Sequence, residues 1–139
     1  MKPYILLVDD EAPFIETLQK RLTKLGLTVA AALSGSEALE VLGKHRNMEV
    51  VVLDVNMPGM DGITTLQEIK KMLPLVEVIL LTGHATVESA VEGMRLGAYD
   101  YLIKPCDQDE LLNKVHAAVG IKRNRDEKIK AYISDFSIS

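Results

Sequence analysis

The sequence predicts an α/β protein with a single doubly wound, five-stranded parallel sheet and five helices. Three observations lead to this fold class. Short apolar runs alternate five times with segments of helical period along the 139 residues. The connections between them are short, which favours right-handed crossovers between parallel strands, with helices on both faces of the sheet. Five such units are too few for the eight-stranded barrel, so the sheet is expected to be open.

The predicted strands are apolar runs bounded by polar or turn residues. They cover residues 4–8, 27–31, 50–53, 76–81 and 98–103. The third run consists of valine and leucine alone, which is typical of a strand buried on both faces of a parallel sheet. This strand, which leads directly into Asp54, is therefore expected at the centre of the sheet.

Capping residues mark where the helices begin. Pro13 falls in the first turn of helix one, where proline is tolerated because that N–H has no partner in the helix. Ser34 and Glu37 have the spacing of a capping box at the start of helix two. Asp61 is the expected N-cap of helix three, and Asp107 that of helix five.

The fourth helix is expected to place Val87, Ala90, Val91 and Met94 against the sheet. It also contains Gly93, which costs about 1 kcal/mol relative to alanine in a helix interior. Two explanations carry equal weight. Either the helix is a weakly held element that responds to a signal, or the glycine permits tight packing on the sheet.

The composition excludes several classes of protein. A net charge of -4 argues against a nucleic-acid binder, so no direct nucleic-acid partner is expected. The single cysteine, Cys106, forms no disulfide within the chain, which favours a reducing compartment such as the cytoplasm. No segment has the apolar length of a membrane span, and no glycine-rich nucleotide-binding motif follows the first strand. A single cytoplasmic domain without a membrane partner is therefore expected.

Polar residues gather where the predicted strands end. Asp9 and Asp10 follow strand one, Asp54 follows strand three, and Thr82 and Lys104 follow strands four and five. Parallel strands bring these ends to one edge of the sheet, where three carboxylates would repel each other. A divalent cation relieves that repulsion, and Mg²⁺ suits a site that keeps room for a phosphate. A carboxylate nucleophile, a metal, an ammonium group and a hydroxyl group together suit phosphoryl transfer.

Four segments stand, in order, at the expected strand ends. They are Val8-Asp9-Asp10-Glu11, Leu53-Asp54-Val55-Asn56-Met57-Pro58-Gly59-Met60-Asp61-Gly62, Leu81-Thr82-Gly83 and Gly97-Ala98-Tyr99-Asp100-Tyr101-Leu102-Ile103-Lys104-Pro105. With these segments the chain resembles the receiver domain of two-component response regulators over roughly residues 3–121. The predicted receiver domain covers residues 1–121, and residues 122–139 are a polar extension or the start of a linker. The resemblance implies the flavodoxin-like strand order 2-1-3-4-5.

The resemblance implies a role for each residue of the site. Asp54 would accept a phosphoryl group from a sensor histidine kinase or a phosphotransfer protein. Mg²⁺ would be held by Asp54, by Asp10 directly, by Asp9 through water, and by the backbone carbonyl of Asn56. Lys104 would pair with the phosphoryl group. The chain would catalyse only its own phosphorylation and dephosphorylation, and so would not be an enzyme acting on other substrates.

The same resemblance implies a switch and a means of setting the phosphoryl lifetime. Thr82 and Tyr101 match the pair that reorganises on phosphorylation, and Lys104–Pro105 matches a cis peptide. Asn56 and His84 would flank the phosphoryl group and control its hydrolysis. The alternative for His84 is a position in solvent at a helix start, and the kinetic role is slightly favoured. The surface of helix four, strand five and helix five is the expected face for a homodimer.

The extension after Gly120 is expected to be solvated and partly frayed, because charged residues interrupt its apolar spacing. Whether the receiver is free-standing or part of a longer regulator stays open. Two alternative functions have requirements that the sequence does not meet. A small-molecule phosphohydrolase using Asp54 as nucleophile would need a substrate lid, which the short loops do not provide. A flavin-binding electron carrier would need a phosphate loop where Asp9 and Asp10 stand.

Overall fold

The computed structural model describes residues 2–57, 61–83 and 87–138; the side chain of Val87, expected in the core, lies outside the described part. In these ranges, five strands alternate with five helices. The elements are β1 (Tyr4–Val8), α1 (Ala12–Lys24), β2 (Thr28–Ala32), α2 (Gly35–Lys44), β3 (Val50–Asp54), α3 (Gly62–Met72), β4 (Glu77–Thr82), α4 (Val87–Arg95), β5 (Asp100–Ile103) and α5 (Gln108–Ile138).

The strands form one parallel sheet in the order β2-β1-β3-β4-β5. This confirms the predicted flavodoxin-like fold. In the register, Val8 pairs with Leu53 and Thr82 pairs with Ile103. The carboxyl ends of β1, β3, β4 and β5 therefore lie side by side at one edge of the sheet.

Each face of the sheet carries its own hydrophobic core. Leu53 and Leu80 belong to one core cluster, and Val52 and Ile79 belong to the other. Successive strand residues point to opposite faces, so neighbouring positions feed different clusters. Every residue of β3 and β4 is buried, which is why these strands have continuous apolar runs rather than alternating ones.

Three predicted helix starts are held by side-chain caps. Ser34 Oγ accepts a hydrogen bond from the backbone N–H of Glu37 at 3.1 Å. Asp61 Oδ1 accepts one from the N–H of Thr64 at 2.7 Å, and Asp107 Oδ1 one from the N–H of Asp109 at 3.3 Å. Each cap satisfies a donor that has no partner within its helix.

Helix α4 packs differently from its predicted face. Ala90 is buried, but Val91 and Met94 are 54% and 38% exposed, so the prediction was wrong for these two residues. The contact with the sheet runs through Gly93 instead. A Cβ atom at position 93 would overlap Cδ1 of Leu80, which is fully buried in β4. Of the two explanations for Gly93, the structure supports tight packing.

Helix α5 continues without a break past Gly120 to Ile138, so the expectation of a partly frayed extension was wrong. Two long-range ion pairs tie the first part of the extension to the sheet. Arg123 contacts Glu49 at 2.6 Å, and Arg125 contacts Glu77 at 2.8 Å. Both pairs lie just past Gly120, where helix propensity alone is weak. The sequence pattern of the extension gave no sign of them, because both partners lie far back in the chain.

The proposed division at residue 121 falls inside α5, whose backbone shows no boundary there. Within the ranges given above, no helix has the combination of length and apolar character that crossing a membrane requires.

Candidate functional site

The site begins with the ends of two neighbouring strands. Because Val8 pairs with Leu53 in the parallel register, the next residues along, Asp9 and Asp54, come together. One carboxylate oxygen from each of Asp9, Asp10 and Asp54 lies within 4.8 Å of the others. Asp9 is fully buried and Asp54 is 5% exposed, whereas Asp10 is exposed. The predicted cluster of three carboxylates therefore exists, with one member open to solvent.

Backbone N–H groups orient the two buried carboxylates. The N–H of Glu11 donates to Asp9 Oδ1 at 3.0 Å, and the N–H of Asn56 donates to Asp54 Oδ1 at 3.2 Å. Both donors lie two residues after their acceptor, as in an Asx turn. The turns that end β1 and β3 thus also fix the direction of the acidic side chains.

Lys104 brings the positive charge predicted for this edge of the sheet. Its Nζ lies 2.5 Å from Asp9 Oδ2, 3.7 Å from Glu11 Oε1 and 3.9 Å from Asp54 Oδ2. The backbone N–H of Lys104 also donates to the carbonyl oxygen of Thr82 at 2.8 Å, which ties the end of β5 to that of β4. The Lys104–Pro105 peptide bond is cis.

The site holds more negative charge than one ammonium group neutralises. Burial, followed by repulsion from Asp9, raises the pKa of Asp54 from 3.8 to about 6, although the charge of Lys104 opposes the rise. Burial alone would lower the pKa of Lys104, but its hydrogen bond to Asp9 and the charge of Asp54 outweigh burial and raise it. A crowded set of oxygen ligands with a destabilised anion among them suits a hard divalent cation.

The predicted switch residues lie on β4, the strand next to that of Asp54, and on β5, one strand further along the sheet. Thr82 is fully buried, and its Oγ1 donates to the carbonyl oxygen of Gly83 at 3.1 Å. Tyr101 is partly buried and packs against the core cluster that contains Leu80. Because Thr82 pairs with Ile103, and side chains two residues apart share a face, Thr82 and Tyr101 lie on the same face of the sheet.

One of the two residues expected to set the phosphoryl lifetime, Asn56, lies in the described part of the chain. Asn56 is exposed beside Asp54, to which its backbone N–H donates. His84 lies outside the described residues, as do Pro58, Gly59 and Met60 of the loop after β3.

Sequence reasoning missed two neighbours of Lys104. Glu11 approaches Nζ as given above, and the ring of Phe14 lies under the same nitrogen, 4.7 Å from centroid to Nζ. Both belong to the start of α1, which follows directly after the acidic pair. Their closeness in sequence to Asp9 and Asp10 could have indicated that they belong to the site. Their contact with Lys104, however, arises only in the folded chain.

Comparison with known proteins agrees with this geometry. The family model "Response regulator receiver domain" matches residues 5–116. The chain is 41% identical to "Transcriptional regulatory protein ZraR" of Escherichia coli (strain K12) over 127 residues, which cover 91% of this chain but 29% of ZraR.

Solved structures show the same likeness. A response regulator receiver domain protein from Clostridium thermocellum superposes with a TM-score of 0.83 at 34% identity, covering 91% of this chain and 98% of that one. The receiver domain of NtrX from Brucella abortus gives 0.78 at 34% identity, covering 84% and 98%. The chain belongs to the family of response regulator receiver domains.

Proposed function

We propose that this receiver accepts a phosphoryl group on Asp54 from a sensor histidine kinase or a phosphotransfer protein. One observation carries the proposal. The Asp54 carboxylate is buried at the end of a central strand, with Lys104 3.9 Å away and two further carboxylates beside it. A nucleophile, a neutralising cation and a set of metal ligands at one strand edge are the parts that phosphoryl transfer needs.

The residues present fit Mg²⁺. Asp9, Asp10 and Asp54 would hold it, together with the backbone carbonyl of Asn56, as the resemblance to the family implies. Bound there, the ion would neutralise charge on the oxygens of the transferring phosphoryl group. All the proposed ligand atoms are oxygens, the type that Mg²⁺ prefers.

The chain's own residues make the reaction possible. An oxygen of Asp54 attacks phosphorus, the bond from phosphorus to the donor nitrogen breaks, and the donor imidazole leaves. Lys104 compensates charge on the phosphoryl oxygens, and the backbone N–H of Asn56 orients the attacking carboxylate. The product is an acyl phosphate on Asp54, whose lifetime we assign to Asn56 and His84.

We propose that the signal then passes through Thr82 and Tyr101. Phosphorylation places new acceptor oxygens at Asp54. This residue pairs with Leu81 on the neighbouring strand, one position before Thr82. The hydroxyl of Thr82 turns toward the new oxygens, and the ring of Tyr101 moves into the space left on the same face. Exposed Val91 and Met94 on α4 support a homodimer through the α4–β5–α5 face.

The experiment is phosphorylation by a small donor. The protein is incubated with acetyl phosphate and MgCl₂, and intact mass and peptide mapping locate the phosphoryl group. We expect one phosphoryl group on Asp54, none in Asp54→Asn, and none after chelation of Mg²⁺. Asp109→Asn removes an exposed acid of α5 and serves as the matched control, which should label as the wild type does. Label on another residue, or a wild-type protein that does not react, would refute the assignment.

A small-molecule phosphohydrolase is not favoured, because the relatives are response regulators. We assign no nucleic-acid contact to this chain, since its net charge is -4.

A further inference from the structure

The ammonium group of Lys104 has an aromatic neighbour that has no role in the reaction proposed above. Nζ stands over the ring of Phe14 at 4.7 Å from the centroid, inside the range of a cation–π interaction. The same nitrogen lies 2.5 Å from Asp9 and 3.9 Å from Asp54. The ring therefore contacts the ammonium group that lies between buried Asp9 and the proposed nucleophile, Asp54.

The fold determines where this ring lies. Phe14 is the third residue of α1, behind Pro13, whose fixed backbone angle suits the first helical turn. The carbonyl of Glu11 accepts the N–H of Ile15 at 3.1 Å, which fastens that turn to the end of β1. Phe14 also packs against the core cluster that contains Leu111, so its ring is supported from within the protein.

A ring face attracts a cation in a way that a carboxylate does not. The attraction comes from the ring quadrupole and requires no particular N–H direction. All three N–H donors of the ammonium group therefore stay available for oxygen acceptors. A cation held in this way can exchange Asp9 for a phosphoryl oxygen on Asp54 without leaving the site.

We infer that Phe14 is a positioning residue for Lys104: its ring keeps the ammonium group within reach of the phosphoryl group without taking up any of its N–H donors. The inference rests on the proposed function, because it concerns the lysine that pairs with phosphorylated Asp54. It predicts a defect in the chemical step rather than in Mg²⁺ binding or in folding.

The test replaces the ring while keeping apolar bulk. Phe14→Leu is expected to lower the rate of Asp54 phosphorylation at saturating acetyl phosphate by about three- to tenfold. The concentration of acetyl phosphate at half-maximal rate should change by less than about twofold, because the ring acts on the lysine and not on the free donor. Phe14→Tyr keeps the ring face and should stay within about twofold of wild type. Phe136→Leu makes the same change at the other phenylalanine of the chain and should have no effect.

Two further measurements separate positioning from packing. In a Lys104→Met background, Phe14→Leu should cause no additional loss of rate, since the two residues act as a pair. By NMR, the ε-methylene protons of Lys104 should be shifted upfield by the ring in wild type and in Phe14→Tyr, but not in Phe14→Leu.

Three results would each overturn the inference. They are equal phosphorylation rates for wild type and Phe14→Leu, additive losses of rate in the double variant, and a chemical shift of the Lys104 ε-methylene protons that is the same with and without the ring. If wild type itself fails to react on Asp54, the proposed function fails instead, and the NMR measurement still decides whether the ring contacts Lys104.

Discussion

Arg123 holds Glu49 with two hydrogen bonds, from Nε to Oε2 at 2.6 Å and from Nη2 to Oε1 at 3.0 Å. Glu49 precedes β3, the strand that ends in Asp54, and also accepts the N–H of Tyr4 at 3.1 Å. Arg125 makes the equivalent contact with Glu77 at the start of β4. The extension of α5 is thus fastened to the edge of the sheet opposite the carboxylate site.

Arg125→Ala should reduce the free energy of unfolding by about 1–2 kcal/mol, because it leaves the buried carboxylate of Glu77 without this partner. The loss stays below that of a fully buried pair, since the Arg125 side chain is 53% exposed. Urea denaturation measures the effect. Lys128→Ala removes an exposed cation of the same helix and is the control. Adding Glu77→Gln to Arg125→Ala should recover part of the loss, and no recovery would contradict the ion-pair explanation.

Asp54→Asn should stabilise the protein when no divalent cation is present. Folding raises the pKa of Asp54 from 3.8 to about 6, so between these pH values the native state binds more protons than the unfolded state. Wild-type stability therefore falls as the pH rises through this window. We expect the variant to gain about 2 kcal/mol over wild type at pH 8, and less than half of that near pH 4.5. Chelator-treated samples in urea titrations at both pH values check this, and a gain that is larger at the lower pH would contradict it.

Mg²⁺ should raise the melting temperature of the wild type at pH 8, because a ligand that binds only the native state stabilises it. Asp10→Asn should lose most of this rise, since it removes the exposed member of the carboxylate cluster. Asp135→Asn changes an exposed acid on the α5 extension and should respond as the wild type does. An unchanged Mg²⁺ response in Asp10→Asn would place the ion elsewhere.

Two glycines within helices, Gly93 and Gly120, should respond to alanine in opposite directions. At Gly93 the new methyl group meets Leu80, so overpacking should outweigh the gain in helix propensity and cost about 1–2 kcal/mol. At Gly120 nothing lies within 4 Å of the new Cβ, and Gly120→Ala should stabilise by about 0.5–1 kcal/mol. Thermal or urea unfolding of the two variants measures both signs, and a stabilised Gly93→Ala would show that α4 can move away from the sheet.

Thr82→Ala should still accept a phosphoryl group on Asp54 but transmit less of the response. The substitution removes the hydroxyl proposed to meet the phosphoryl oxygens and leaves Asp54 and Lys104 in place. The readout is the change in the Tyr101 ring resonances on addition of beryllofluoride, which we expect to fall by more than about half relative to wild type. Thr82→Ser keeps the hydroxyl and should retain most of the change. A full response in Thr82→Ala would remove Thr82 from the switch.

Local patterns in the sequence were enough for much of this protein. Apolar runs and capping residues act within a few positions, so the strands and the Ser34 and Asp61 caps followed from them. Asp9, Asp54 and Lys104 could be assigned to one edge because parallel strands all point the same way. The resemblance to receiver domains then supplied the roles of these residues.

Tertiary structure alone decided the rest, because it depends on partners that are distant in the chain. Arg123 and Glu49 are 74 positions apart, and the charged residues that interrupt the apolar spacing of the extension gave no indication that it would remain helical. The pKa of Asp54 follows from its burial and from Asp9 on another strand. The contact between Phe14 and Lys104 exists only once β1 and β5 have taken their places in the sheet. Periodicity specifies which face of an element is apolar, but only packing specifies which charge meets which partner.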